Sequence, residues 1–183
     1  MSKLLMTDLD GTIRKCKSNP NGFINDPFDQ EIMVEAKLAL EFYVNKGYTV
    51  VGITNQGGCA AINPKTGNPY KSLEDVVKEQ SYTLELCPRL AAIIFCVDFA
   101  GETRIDVVRP GVLAINPNFN HHLTHDKLKG TYRKPGAGML LWAMEWLGVD
   151  KVDTLYVGDR FEDEQAAANA GVKFLWNTEW YKC

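Results

Sequence analysis

Asp8 and Asp10 stand two residues apart in Thr7-Asp8-Leu9-Asp10-Gly11-Thr12, where an apolar run ends. Carboxylates so spaced can face one pocket, and Gly11 lets the backbone approach a ligand closely. They also repel each other, so something cationic must hold them. A third acid, Asp159, closes another apolar run in Tyr156-Val157-Gly158-Asp159-Arg160. Carboxylates gathered from two strand ends suit a hard divalent ion with oxygen ligands, most naturally Mg²⁺. Thr54 punctuates a third run in Ile53-Thr54-Asn55-Gln56-Gly57-Gly58, and Lys134 in Arg133-Lys134-Pro135-Gly136 adds a fixed positive charge. Taken singly, each has an ordinary reading: a turn after a strand, a strand-end cap, a solvated lysine. Asp163 alone fits a first-turn acid that complements a helix dipole. Together and in order they read as a site.

The elements that must position these residues alternate between strand and helix along the whole chain. The patterns predict strands over 3–8, 48–53, 91–97, 154–157 and 172–176, with a short extended piece at 104–108. A helix is predicted from Asp26 as N-cap and Pro27 at the first helical position through Lys46, stopped by Gly47. Ser72 and Asp75 form a capping box for a helix reaching about Leu86, closed by Pro88. Further helices are expected over 136–147 and 162–170, ended by Gly148 and Gly171. Residues 101–130 are the least regular, and His121, His122 and His125 read there as surface loop residues. Trp176, Trp180 and Tyr181 read as core or edge cover. Parallel strands need right-handed crossovers, so the expected fold class is α/β, a doubly wound, three-layer Rossmann-like core. Its central parallel sheet has about five strands, and ligands bind at their carboxyl ends. The stretches 11–26 and 56–133 leave no room for a large cap domain, so the site should be open.

The length of 183 residues fits a single domain spanning 1–183. A net charge of −3 excludes a strongly basic nucleic-acid coat or a polybasic membrane binder, and 45% hydrophobic residues exclude disorder. Five scattered cysteines without a C-x-x-C pair argue against a disulfide scaffold and a zinc ribbon. No apolar run approaches the roughly 20 residues needed to span a bilayer, which gives a cytoplasmic expectation.

Asp8-Leu9-Asp10-Gly11-Thr12, Thr54, Lys134 and Gly158-Asp159-x-x-x-Asp163, in that order, resemble the haloacid dehalogenase superfamily of aspartate-nucleophile phosphohydrolases. The resemblance implies a Mg²⁺-dependent phosphomonoesterase. Asp8 would attack phosphorus, form an aspartyl-phosphate and bind the metal. Asp10 would be the general acid and base, with a carboxyl raised in pKa by its neighbours and a backbone carbonyl on the metal. Asp159 and Asp163 would complete the metal site. Thr54 with backbone N–H groups at Asn55 and Gln56 would bind the phosphoryl oxygens, and Lys134 would offset their charge; Arg133 and Arg160 would join in substrate binding.

The wording around Thr54 and Lys134 is similar to histidinol-phosphate and heptose-bisphosphate phosphatases and to polynucleotide 3′-phosphatases. The first two commonly carry a Cys/His zinc loop, whereas Cys96-Val97-Asp98 lacks the histidine and Gly130-Thr131-Tyr132 replaces Cys-x-Cys. That departure points away from a structural zinc and from heptose bisphosphate. The excess of Arg104, Arg109, Lys127, Lys129, Arg133 and Lys134 over acids within 101–135 leaves open a basic rim for a nucleic-acid 3′ end. The partner is therefore a phosphorylated substrate, a sugar phosphate or a polynucleotide 3′-phosphate, with no membrane and a monomer favoured. The alternative is a non-enzymatic phospho-acceptor or binding module on a related Rossmann-like fold, such as a response-regulator receiver. A receiver carries its phospho-acceptor after the third strand, whereas Asp8 follows the first.

Overall fold

The computed structural model describes residues 2–111 and 116–182. In chain order the first elements are β1 (Lys3–Thr7), β2 (Arg14–Cys16), β3 (Gln30–Ile32), α1 (Val34–Asn45), β4 (Tyr48–Asn55) and α2 (Leu73–Leu86). Then follow β5 (Ala92–Cys96), β6 (Arg104–Val108), α3 (His121–Leu128), α4 (Gly138–Leu147), β7 (Thr154–Gly158), α5 (Phe161–Ala170), β8 (Lys173–Trp176) and α6 (Asn177–Trp180). Six strands form one sheet in the order β6-β5-β4-β1-β7-β8. The five from β5 to β8 are mutually parallel, as expected, and β6 lies antiparallel on the β5 edge.

Burial on both faces explains the nearly continuous apolar strands. Leu4 and Met6 of β1 face Met139, Leu140 and Trp142 of α4 and the small Ala166, Ala167 and Ala170 of α5. Leu5, one residue out of phase, belongs to the opposite layer with Ala36 and Leu40 of α1, Val76 and Leu84 of α2, and Trp180 of α6. β1 is central, and Asp8 immediately after it still donates its N–H to Val157 O at 2.8 Å. The first acid is thus held at a fixed strand end. No helix is long and apolar enough to cross a membrane, and no large cap covers the strand ends among the described residues.

Two expectations are corrected. The helix predicted from Asp26 begins only at Val34. The Asp26 carboxylate instead accepts the Phe28 N–H at 2.9 Å, making a turn, and the buried alternation of Gln30 and Ile32 draws β3 into an antiparallel hairpin with β2. The histidine stretch is helical: the Asn120 side chain accepts the Leu123 N–H at 3.1 Å and opens α3. Its rings pack with Phe119, Tyr132 and Trp142. The Ser72 cap of α2 is as expected, accepting from the Asp75 N–H at 3.0 Å.

Candidate active site

Lys134 joins the acids. It sits in the turn before α4, almost fully buried, and its Nζ donates to Asp8 Oδ1 at 2.6 Å, Asp163 Oδ1 at 2.7 Å, Tyr156 Oη at 3.2 Å and Ile53 O at 3.2 Å. The Asn55 side chain grips the Lys134 backbone from β4, donating to its carbonyl and accepting its N–H, both at 3.0 Å. Burial by itself lowers the lysine pKa, but the Asp8 and Asp163 charges reverse that and hold the ammonium charged. For Asp8 burial wins: it pushes the carboxyl up to about 7 against the pull of Lys134, with the Asp163 and Asp10 charges adding to the rise.

Asp163, on the first turn of α5, is fully buried with both oxygens engaged. Oδ1 accepts from Lys134 and from the Tyr156 hydroxyl at 2.8 Å, and Oδ2 accepts the Arg160 N–H at 3.1 Å. It is placed to anchor Lys134. Gly158 is what allows this proximity, since a Cβ there would lie 2.4 Å from Asp163 Cβ. Gly158→Ala should therefore lower stability by about 1–3 kcal/mol, the usual range for overpacking, read as a fall in the denaturation midpoint.

Asp159 differs from Asp163 in having Oδ1 buried without a hydrogen-bond partner. Burial and the Asp163 charge raise its pKa, opposed by Arg160 and Lys134. Carboxylate oxygens of Asp8, Asp159 and Asp163 lie within 4.8 Å of one another, and among the described residues this is the convergent group of metal-ligand type. The orphaned Asp159 oxygen and the all-oxygen donor set fit a hard divalent cation. Gly11 (φ +92°) keeps the wall thin, because a Cβ there would meet Asp159 Oδ2 at 2.4 Å.

Asp10 is turned elsewhere. Its carboxylate receives Arg14 Nε at 2.8 Å and Nη2 at 3.3 Å, and Gln56 Nε2 at 3.3 Å. Burial raises its pKa, but the Arg14 charge and hydrogen bonds outweigh that, and the carboxyl falls below the ordinary aspartate value. The expected upward shift is thus corrected, for Arg14 was not recognised as a partner. Thr54 is buried at the end of β4, its hydroxyl accepting Gln56 Nε2 at 3.3 Å. One expected phosphoryl contact is corrected as well: the Gln56 N–H already donates to Cys96 O at 2.7 Å. The Asn55 side chain is engaged by Lys134.

Arg133 lies over the Phe99 ring at 4.9 Å with Nη1 buried and unpartnered, and its guanidinium would stand 3.3 Å from a Cβ on Gly57. It therefore lines the loop after β4. The Arg160 side chain is largely exposed, 3.9 Å from Glu162. The basic rim is partly turned inward: Arg104 pairs with Asp106 at 2.7 Å and lies on Trp142, and Arg109 donates to the Leu84, Cys87 and Leu90 carbonyls. Lys134 is buried too, whereas Lys127 and Lys129 are exposed. Gly101 O ties the loop before α4, accepting the N–H groups of Gly130 at 2.9 Å and Tyr132 at 3.1 Å. Cys16, Cys59, Cys87 and Cys96 are free thiols; Cys183 lies outside the described residues.

A family model described as haloacid dehalogenase-like hydrolase matches residues 111–177. A D-glycero-beta-D-manno-heptose-1,7-bisphosphate 7-phosphatase of Haemophilus ducreyi is 27% identical over 171 residues, covering 93% of this chain and 80% of the relative. Over residues 111–177 the chain is similar to the haloacid dehalogenase-like hydrolases. A Thermoplasma acidophilum relative named for the same heptose activity is 27% identical over 179 residues, covering 94% of this chain and 88% of its own. The fold matches a D,D-heptose 1,7-bisphosphate phosphatase structure from B. bronchiseptica, complexed with magnesium and phosphate, at TM-score 0.61 and 22% identity, over 94% of this chain and 78% of that one. Both of these sequence relatives are named as phosphatases.

Proposed function

We propose that residues 1–183 form one catalytic domain, a Mg²⁺-dependent phosphatase that works through an aspartyl-phosphate on Asp8 and acts on a sugar phosphate. The observation that carries this reading is the buried pair of Lys134 and Asp8, 2.6 Å apart, beside the unpartnered Asp159 oxygen. Asp8 and Asp159 would hold Mg²⁺ together with the Asp10 carbonyl, and Asp163 would support them through Lys134. The ion when bound supplies positive charge opposite the phosphoryl oxygens.

In the first displacement an Asp8 oxygen bonds to phosphorus, the ester P–O bond breaks, and its electron pair leaves on the alcohol oxygen, which takes a proton through Asp10. In the second, Asp10 takes a proton from water as that water attacks phosphorus. The acyl-phosphate bond then breaks, inorganic phosphate departs and the Asp8 carboxylate returns. Lys134 offsets charge on Asp8 and the phosphoryl group, and Thr54 donates to a phosphoryl oxygen. Arg133 and Arg160 bind the remainder of the substrate.

The activity for which the relatives are named supports a heptose bisphosphate or a close sugar phosphate, against the direction drawn from the missing zinc loop. Phosphate release should be compared for sugar mono- and bisphosphates, histidinol phosphate and a 3′-phosphorylated oligonucleotide, with Mg²⁺ and with EDTA. A sugar phosphate should win by at least about thirtyfold in kcat/KM, given the ~2 kcal/mol discrimination of a pocket contact, and EDTA should abolish turnover. An oligonucleotide preferred by that margin would replace the substrate assignment.

A further inference from the structure

Arg14 is fully buried, and each of its five N–H donors has an acceptor. Nε and Nη2 fork onto the two oxygens of Asp10, at 2.8 and 3.3 Å. Nη2 also reaches Glu79 Oε1 at 2.6 Å, while Nη1 donates to Thr83 Oγ1 at 2.5 Å and Gln30 Oε1 at 3.2 Å. Glu79, buried on α2, takes Lys71 Nζ on its second oxygen at 2.5 Å, so the four charges Asp10, Arg14, Glu79 and Lys71 balance. Gln30 of β3 is tied in turn to the Glu79 carbonyl at 3.0 Å, which joins the hairpin and α2 around one guanidinium.

Burying such a network is weak as a device for stability, because desolvation offsets the attraction between its charges. Its geometry does something else. A carboxylate offers about four lone-pair positions. Arg14 occupies two on Asp10 and Gln56 a third, leaving one, on Oδ1. Asp10 is the partly open member of the network, with 39% of its side-chain surface accessible, so that remaining position is available from the site. A fork held in a plane by three other acceptors fixes the carboxylate plane in a way a lysine could not.

We propose that Arg14, locked by Glu79, is a positioning residue that fixes the Asp10 carboxyl in the orientation required for proton transfer to and from the reacting oxygen. This rests on the phosphatase reading above. The proton moves between Asp10 and the departing alcohol oxygen or the attacking water; Arg14 keeps its own protons throughout.

The test is a double-mutant cycle on the full chain with Mg²⁺ and an activated aryl phosphate, which needs little leaving-group help and keeps weak variants measurable. Arg14→Lys, which retains the charge and loses the fork, should lower kcat about a hundredfold, the scale of one positioned acid-base group, with KM changed less than about twofold. In an Asp10→Asn background the same substitution should cost less than about twofold, because the group it positions is already gone. Equal losses in both backgrounds mean that Arg14 supports the fold alone, and overturn the proposal. Should Arg14→Lys not fold, Glu79→Gln takes its place in the cycle; it keeps the shape and Arg14's other four acceptors, and about a tenfold loss of kcat should vanish in the Asp10→Asn background. A wild-type protein that hydrolyses no phosphomonoester overturns the phosphatase reading itself, an outcome distinct from an active enzyme with an additive cycle.

Discussion

Asp8→Asn should abolish turnover and leave the protein folded, with a thermal midpoint equal to or above that of the wild type. The loss in kcat should reach about 10⁴-fold or more, the scale seen when a covalent nucleophile is removed. Stability moves the other way for an electrostatic reason. Asp8, Asp163 and Lys134 form a buried cluster of two carboxylates on one ammonium. Burial already disfavours the charged form of Asp8, whose carboxyl is pushed up to about 7. An amide removes the surplus negative charge and leaves Lys134 neutralised by Asp163. Measuring phosphate release and thermal unfolding on the same preparation separates the two effects. Residual turnover within about tenfold of wild type would exclude Asp8 as nucleophile.

Most of this cluster was legible in the sequence because its members sit at strand ends, where an apolar run turns abruptly polar. Asp8, Thr54 and Asp159 are all of that kind, and the parallel register of β1 with β4 and β7 brings them to one edge of the sheet. Lys134 and Asp163 were legible as members of an ordered motif, but not their mutual 2.7 Å contact, which depends on how α4 and α5 dock. Arg14, Glu79 and Tyr156 carried no signal. An arginine in a short strand and a glutamate within an amphipathic helix ordinarily face solvent. Only the docking of the β2/β3 hairpin on α2 makes them interior. For the same reason the depressed Asp10 carboxyl could not be anticipated: its partner is four residues away in sequence, but the pair is meaningful only because Glu79, 65 residues further on, closes over it.

The fold shows a similar division. Capping chemistry placed α2 correctly, since the Ser72 side chain and the Asp75 N–H are local to one turn. Asp26-Pro27 gave an equally strong local signal and failed, because the same carboxylate that can cap a helix can cap a turn. Burial of Gln30 and Ile32 against other elements decided between them, and that choice is not encoded within the segment. The basic residues of 101–135 divide differently. Counting charges treats each as exposed, whereas Arg104 and Arg109 have long stems that pack inward and guanidinium groups that find buried acceptors.

Lys134→Met is expected to be the most destabilising single change in the site, at about 3–5 kcal/mol, because removing one partner of a buried ion cluster leaves its charges uncompensated. The three N–H groups of the ammonium share four acceptors, two of which are the Asp8 and Asp163 carboxylates that it neutralises. Without it the two carboxylates face each other beside the Tyr156 hydroxyl, whose own ionisation burial and Asp163 already push well upward. One of the acids must then take up a proton or admit water. The denaturant midpoint should fall without a change in slope, and catalysis should be lost with it. The cause can be distinguished from lost packing by adding Asp8→Asn to the same chain. If the destabilisation is electrostatic, the double variant is more stable than Lys134→Met alone, because one of the stranded charges is gone; if it reflects a packing defect, the second substitution recovers nothing. Mg²⁺ acts on the same imbalance. An ion held by Asp8 and Asp159 stabilises the folded state by mass action, so the midpoint of Lys134→Met should rise with added Mg²⁺ by more than that of the wild type. A metal response no greater than the wild-type one would mean that the lysine and the ion do not share the Asp8 charge, and the assignment of Asp8 to both would fall.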